Sequence, residues 1–303
     1  MCEAAAHEER GKELMALFLK RRGDEVKITD NVVKAAARNR SCGSEIMALV
    51  LEQREDKFKM AAGSVAEIAR SCDQGAVKLL LERRGDKVKM TEEVVQAAAG
   101  NERSGREIIE LLLEKRGDEI KITEEVARAA TRNWDSGRDV MAFLFEQQGD
   151  EVKITEEVLK AAARSEAVMV FLLEQRGTEV KITEEVVKVA VRSQQLVALF
   201  FKKRGNEVKI TEEVVKVAAR NEQAMALLLK QRGHEVKITK GVIEAAAENP
   251  WLANEIITLL FEQSPDIVRE ILRANASSFE ESSPTSFHVE LNGHSVHVPR
   301  QRG

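Results

Sequence analysis

The sequence predicts an all-α protein, an α-solenoid of about eight helix–turn–helix repeats of 28–32 residues each, and three observations carry that prediction. The first is a recurring motif, R-G-D-E-V-K-I-T-E-E-V-V. Anchored on its Thr, the copies fall at Thr29, Ala61 (a degenerate copy), Thr91, Thr123, Thr155, Thr183, Thr211 and Thr239, at spacings of 32, 30, 32, 32, 28, 28 and 28. A fixed period in this range is the signature of a repeat architecture. The second is composition: Tyr is absent, 4% of residues are aromatic, and Ala, Leu, Glu, Lys and Arg dominate, which favours helix over strand. The third is apolar spacing inside each copy. Val214, Val215, Ala218 and Ala219 line one helical face, as an amphipathic helix requires.

Taken along the chain, residues 1–10 read as a partial repeat or N-terminal cap, because Glu3 to Gly11 echoes the end of the second helix of a unit. Residues 11–249 are the repeats. The first helix of a unit is bulky, as in Glu107 to Arg116, and ends on a basic turn followed by Gly117, read as a helix-stopping glycine. An extended link follows, Glu119-Ile120-Lys121-Ile122, whose alternate residues suit the junction. The second helix opens on Thr, a favoured N-cap, with two Glu residues that complement the helix dipole. In the 28-residue units Ser165, Ser193 and Asn221 end one helix and cap the next. The 32-residue units insert Arg40 to Gly43, Glu102 to Gly105 and Trp134 to Gly137 at that point. Residues 250–275 read as capping helices, with Pro250 as a first helical residue. Residues 276–303 form a tail that is either a β-hairpin or disordered. Alternation around Asn292-Gly293 is a type I′ turn signal, and it places His288 opposite His297. One unit cannot bury enough apolar surface to stand alone, so neighbours must stack.

Several function classes drop out. The 47 basic and 51 acidic residues leave a net charge of −4, hence no field drawing in nucleic acid or an anionic membrane. No run approaches 18 apolar residues, as a spanning helix would need. The N-terminal MCEAAAHEERGKEL lacks a secretory h-region, and Cys2, Cys42 and Cys72 are an odd number at no ligand spacing. A cytoplasmic chain is therefore expected. No phosphate loop, GxGxxG, HExxH or GxSxG occurs, so no enzyme, cofactor or metal is expected.

Other signals have plainer readings. His288 and His297 supply two ligands where structural zinc wants four. Arg22-Gly23-Asp24, Arg84-Gly85-Asp86 and Arg116-Gly117-Asp118 spell an adhesion tripeptide, but the third residue varies in the other copies. Glu212, Lys216 and Arg220 read as an i, i+4, i+8 ladder on a solvated face. Cys42 and Cys72 read as inert thiols. The inserted loops are different, since loop variation between repeats marks binding faces. Trp134, Asp135, Arg40, Glu102 and Arg103 are therefore the candidate partner-binding residues. The expected function is protein–protein recognition by the helix face and these loops. The alternative is a structural array that self-associates through its N-terminal edge.

Each unit also resembles an ankyrin repeat, reading T-x-x-V-x-x-A-A, then N, then E-I-I-x-L-L-L-E-x-x-G-x-x-V. Thr123 to Val152 carries the likeness through Ala129-Ala130, Asn133, Leu144 and Gly149 to Val152. The likeness covers about residues 11–262 and departs where T-P-L-H is replaced by T-E-E-V and the β-hairpin finger is cut short. The units look like the degenerate repeats that follow ankyrin arrays in fungal STAND-type (NACHT) receptor-like ATPases. That resemblance implies a sensing or partner-binding array, here without an ATPase motif.

Overall fold

The computed structural model describes residues 1–22, 27–53, 60–148, 152–249, 251–279, 286–291 and 294–299. The chain is all-α apart from one short hairpin, with nineteen α-helices among the described residues. It divides into two compact units, Met1–Phe171 and Leu172–Gly303.

In the first unit one row of helices is α1 (Cys2–Ala6), α3 (Asp30–Ala37), α5 (Ala62–Ser71), α7 (Glu92–Ala99), α9 (Glu124–Arg132) and α11 (Glu156–Ala162), each packed on the next. The second row is α2 (Gly11–Arg22), α4 (Gly43–Gln53), α6 (Gln74–Arg84), α8 (Gly105–Arg116) and α10 (Gly137–Gln148), stacked in the same way. Helix α12 spans Glu166–Gln175. The second unit repeats the plan, with α13 (Glu184–Ala190), α15 (Glu212–Ala218) and α17 (Lys240–Ala247) in one row. The other row holds α14 (Gln194–Arg204), α16 (Glu222–Arg232) and α18 (Ala253–Gln263). Helix α19 (Pro265–Phe279) packs on α18 and runs four residues past the expected 275. Strands β1 (Ser286–Leu291) and β2 (His294–Pro299) pair antiparallel with His288 opposite His297, the register expected from Asn292-Gly293, which itself lies outside the described residues. β1 lies beside α18 and β2 beside α19.

Every residue of the recurring motif has a structural task. Val214, Val215, Ala218 and Ala219 are buried, as are Ile120 and Ile122 of the link. Small Ala and β-branched Val on this row let adjacent helices pack closely. Thr123, Thr155, Thr183, Thr211 and Thr239 each accept a hydrogen bond from the N–H three residues on. Four of them also donate to the first Glu of the preceding repeat: Thr123 to Glu92 (2.5 Å), Thr155 to Glu124 (2.8 Å), Thr211 to Glu184 (2.9 Å) and Thr239 to Glu212 (2.8 Å). One hydroxyl thus caps its own helix and ties it to its neighbour. The degenerate repeat tests this logic. Ala62 stands where that Glu would be, and the Thr91 hydroxyl is buried without a hydrogen-bond partner among the described residues. Upstream, Asp30 compensates for the missing Thr by accepting from the Ser64 hydroxyl (2.5 Å) and the Ala61 N–H (3.0 Å).

The second recurring tie starts from the arginine that ends the bulky helix. Arg116, Arg176, Arg204 and Arg232 each grip the Glu three residues on in a two-pronged pair, Glu119, Glu179, Glu207 and Glu235. Such a forked guanidinium–carboxylate pair is geometrically specific. Three of these arginines also donate to the glycine carbonyl of the preceding repeat: Arg116 to Gly85 (2.7 Å), Arg204 to Gly177 (2.7 Å) and Arg232 to Gly205 (2.9 Å). The working motif is therefore R-G-x-E. The third residue takes no part, which explains why Asp, Thr, Asn and His all occupy it and disposes of the adhesion tripeptide. Gly23-Asp24 and Gly149-Asp150-Glu151 lie outside the described residues.

Two local expectations are corrected. The glycine after the bulky helix is not a left-handed stop. Gly85, Gly117 and Gly205 have φ of −49°, −55° and −53° and open short 3₁₀ turns. The turn is redirected instead at the arginine before them, where φ is −136° to −145°. The helix expected to begin at Pro250 begins at Ala253; Asn249 first forms a turn by accepting from the Trp251 and Leu252 N–H groups. Pro250 is outside the described residues.

Candidate functional site

The inserted loops of the first unit are organised by one buried residue type that sequence reading treated only as a repeat marker. Asn39, Asn101 and Asn133 are 6%, 2% and 2% exposed. A buried amide must find partners for both its donor and its acceptor, and each Asn does so in the same way. The Asn101 side-chain oxygen accepts from the Arg103 and Ser104 N–H groups, while its amide donates to the Ala69 and Cys72 carbonyls of the preceding repeat at 2.9 and 2.8 Å. Asn39 takes the Ser41 and Cys42 N–H groups and donates to the Ala5 and His7 carbonyls. Asn133 takes the Ser136 N–H and donates to Ala99 and Asn101.

Each loop closes on a glycine for steric reasons. A Cβ on Gly137 would lie 2.5 Å from the Ala130 carbonyl oxygen, and one on Gly43 would lie 2.7 Å from that of Ala36. Only hydrogen fits where the returning chain presses on the helix it has just left. Pinned at Asn and at Gly, each loop presents its middle residues outward.

Those residues include every sequence candidate. Arg40, Glu102, Arg103, Trp134 and Asp135 are all exposed, Trp134 to 71%. The structure sorts them into two neighbouring features. A cleft of about 650 Å³ is lined by Ala37, Arg38, Arg40, Arg70, Ser71 and Gly100 to Arg103. It lies along the C-terminal ends of α3, α5 and α7. The Arg103 guanidinium reaches the Arg40 carbonyl at 3.4 and 3.5 Å, bridging two loops across the intervening repeat. A smaller groove of about 170 Å³ is lined by Thr131, Arg132, Trp134, Arg164 and Ser165. Asp135 lines neither.

The cleft is electropositive. Arg38, Arg40, Arg70 and Arg103 face it, against Glu102. Arg38 is engaged by Glu67 through two hydrogen bonds of 2.9 and 3.0 Å. That guanidinium holds the half-buried Glu67 carboxyl below the usual carboxylate range. Beneath the cleft, burial pushes the Cys72 thiol up to about 12, the property of an inert thiol. Among the described residues no three His, Cys, Asp or Glu side chains come together as a metal site, and no helix is long and apolar enough to cross a membrane.

Sequence reading found the loop residues and missed Arg38, Arg70, Arg132 and Arg164, which end the helices beneath them. The available signal was an arginine recurring just after the Ala-Ala pair. The proposed Glu–Lys–Arg ladder is also revised: Lys216 pairs with Glu212 (3.3 Å) and Glu213 (2.9 Å), but Arg220 reaches Glu248 in the next repeat at 2.7 Å.

Comparison with known proteins adds a family. No curated protein sequence matches the chain. Among solved structures, it is similar to the crystal structure of the pentatricopeptide repeat protein PPR10 from maize, with 14% identity and a TM-score of 0.32. That alignment covers 91% of this chain, which spans about half (48%) of the maize protein. One family model matches seven times, at residues 17–47, 79–108, 111–141, 143–169, 171–195, 199–224 and 227–256, and the degenerate copy at Ala61 falls in the gap between the first two. These seven matches span well over half of the sequence, and the chain belongs to that family, described as Domain of unknown function (DUF7104).

Proposed function

We propose that the chain is a protein-recognition module of ankyrin-like repeats, cytoplasmic, acting by binding rather than by catalysis and needing no cofactor or metal. The observation that carries the reading is a division of labour. The motif residues are consumed by ties between repeats, whereas the inserted loops are anchored from below and hold Arg40, Glu102, Arg103, Trp134 and Asp135 in solvent. A rigid scaffold carrying varied exposed loops is the usual arrangement of a binding face. An exposed Trp on such a loop is a natural anchor for a partner. The partner is a protein rather than nucleic acid or membrane, in keeping with the net charge of −4. The likeness to the arrays of fungal NACHT proteins points the same way.

Photo-crosslinking from single positions tests this. A crosslinker at residue 40, 134 or 135 should give one adduct of common mass in a native extract. The same group at Glu82 or Glu114, exposed on the other helix row, should give none. Equal adducts from both rows, or none from either, would overturn the reading.

A second reading has its own support. Leu17 and Phe18 on α2 are 46% and 41% exposed, an apolar pair suited to a second copy. If the array self-associates, its mass by light scattering rises with concentration and Phe18→Glu abolishes the rise. A constant monomer mass removes this alternative.

A further inference from the structure

Resting on the recognition reading above, we infer that the arginine-lined cleft of the first unit binds an acidic, extended protein segment, with Asp or Glu carboxylates seated between Arg40, Arg70 and Arg103. Four arginines face a volume of about 650 Å³ in a chain whose net charge is −4. The local sign is thus opposite to the global one. Arg38 is occupied by Glu67. No carboxylate is hydrogen-bonded to Arg40, Arg70 or Arg103 among the described residues, and Arg103 spends its guanidinium only on long contacts to a carbonyl. Guanidinium groups present forked donors matched to carboxylates. Asn39 and Asn101 hold the two outer loops in place before any ligand arrives, which reduces the ordering cost of binding. The row continues with Arg132 and Arg164 beside Trp134, so an extended segment leaving the cleft meets further positive charge and one aromatic face.

The page favours a peptide over a polynucleotide. Glu102 and Asp135 stand exposed on the same edge, where they repel an unbroken phosphate chain but leave room for separate carboxylates. Single-stranded nucleic acid also calls for several stacking aromatics, and this edge offers Trp134 alone among its described residues.

Fluorescence anisotropy of a short labelled Glu-rich peptide, against its Gln counterpart, tests the inference on the full chain. The Glu peptide should bind and the Gln peptide should not. Arg40→Gln with Arg70→Gln should weaken binding about tenfold or more, the loss of one charge-assisted contact. Glu102→Gln should strengthen it, a gain that no folding defect can imitate, and added salt should weaken it. Equal binding of both peptides, indifference to the arginine pair, or tighter binding of a single-stranded oligonucleotide would overturn the inference. If residue 134 crosslinks a partner while the Glu peptide fails to bind, the acidic segment is wrong and the recognition reading stands. If neither occurs, both fall.

Discussion

The 32-residue repeats of the first unit and the 28-residue repeats of the second solve the same problem, turning from one helix row to the other, in two ways. In the second unit Ser193 and Asn221 sit directly at the start of the next helix and cap it, through the Leu196 and Ala224 N–H groups. Asn221 is half-buried and sends its amide to one carbonyl, that of Arg192. In the first unit four extra residues carry the chain outward, and Asn39, Asn101 and Asn133 go inward to hold it. A longer loop exposes more backbone polar groups, and a buried amide with two acceptors and paired donors satisfies them at once. The longer turn therefore yields a rigid display surface where the short one yields only a cap. The second unit uses the long form once, at Asn249, and again presents a Trp, Trp251 at 85% exposure.

The sharpest test of this contrast is a pair of substitutions. Asn101→Ala leaves buried carbonyls of the preceding repeat without their donor and should cost roughly 2–4 kcal/mol. Asn221→Ala removes one cap and should cost about 1 kcal/mol. Urea midpoints followed by circular dichroism rank the two, and equal costs would erase the distinction between anchored and capped turns.

Glycines provide the next test. Gly137→Ala forces a methyl against the Ala130 carbonyl and should destabilise by roughly 1–3 kcal/mol. Gly117→Ala has open space and a helical φ of −55°, so it should stabilise by about 0.4–1 kcal/mol. Opposite signs in thermal melts are expected, and a loss at Gly117 would mean that its turn needs a conformation the structure does not assign.

The smallest effect concerns pH. Glu67 is held below its ordinary value near 4.5 by Arg38. Its contribution is then complete above that unfolded value and is lost as pH falls through the lower folded value. Melting temperature should drop as pH is taken from 6 toward 3, and Glu67→Gln should make that drop shallower. An unchanged slope would show the Arg38 pair to be without consequence for stability, as many exposed pairs are.

How much was legible beforehand differs between element and contact. The helix pairs, the Thr caps, the buried Val and Ala positions and the hairpin register all followed from spacing, because each depends on residues within a few positions of one another. The candidate loop residues were legible as insertions. Their assembly was not. Arg103 meets Arg40 across 63 positions and Asn101 meets Ala69 across 32, distances at which periodicity says only that units stack. The glycines misled for the same reason. The recurrent Gly of R-G-x-E looked necessary and has open space around it at Gly85, Gly117 and Gly205, whereas the loop Gly137 is hemmed in by a backbone it meets only in the fold.

What the sequence by itself determined, then, is a helical repeat of two alternating pitches, because helix period, capping and turn chemistry act locally and recur with each copy. What only the tertiary structure decided is which polar groups the stacking buries and which it brings together. Burying Asn101 and gathering Arg38, Arg40, Arg70 and Arg103 around one cleft depend on backbones of successive repeats meeting at hydrogen-bond distance, and no single repeat contains that geometry.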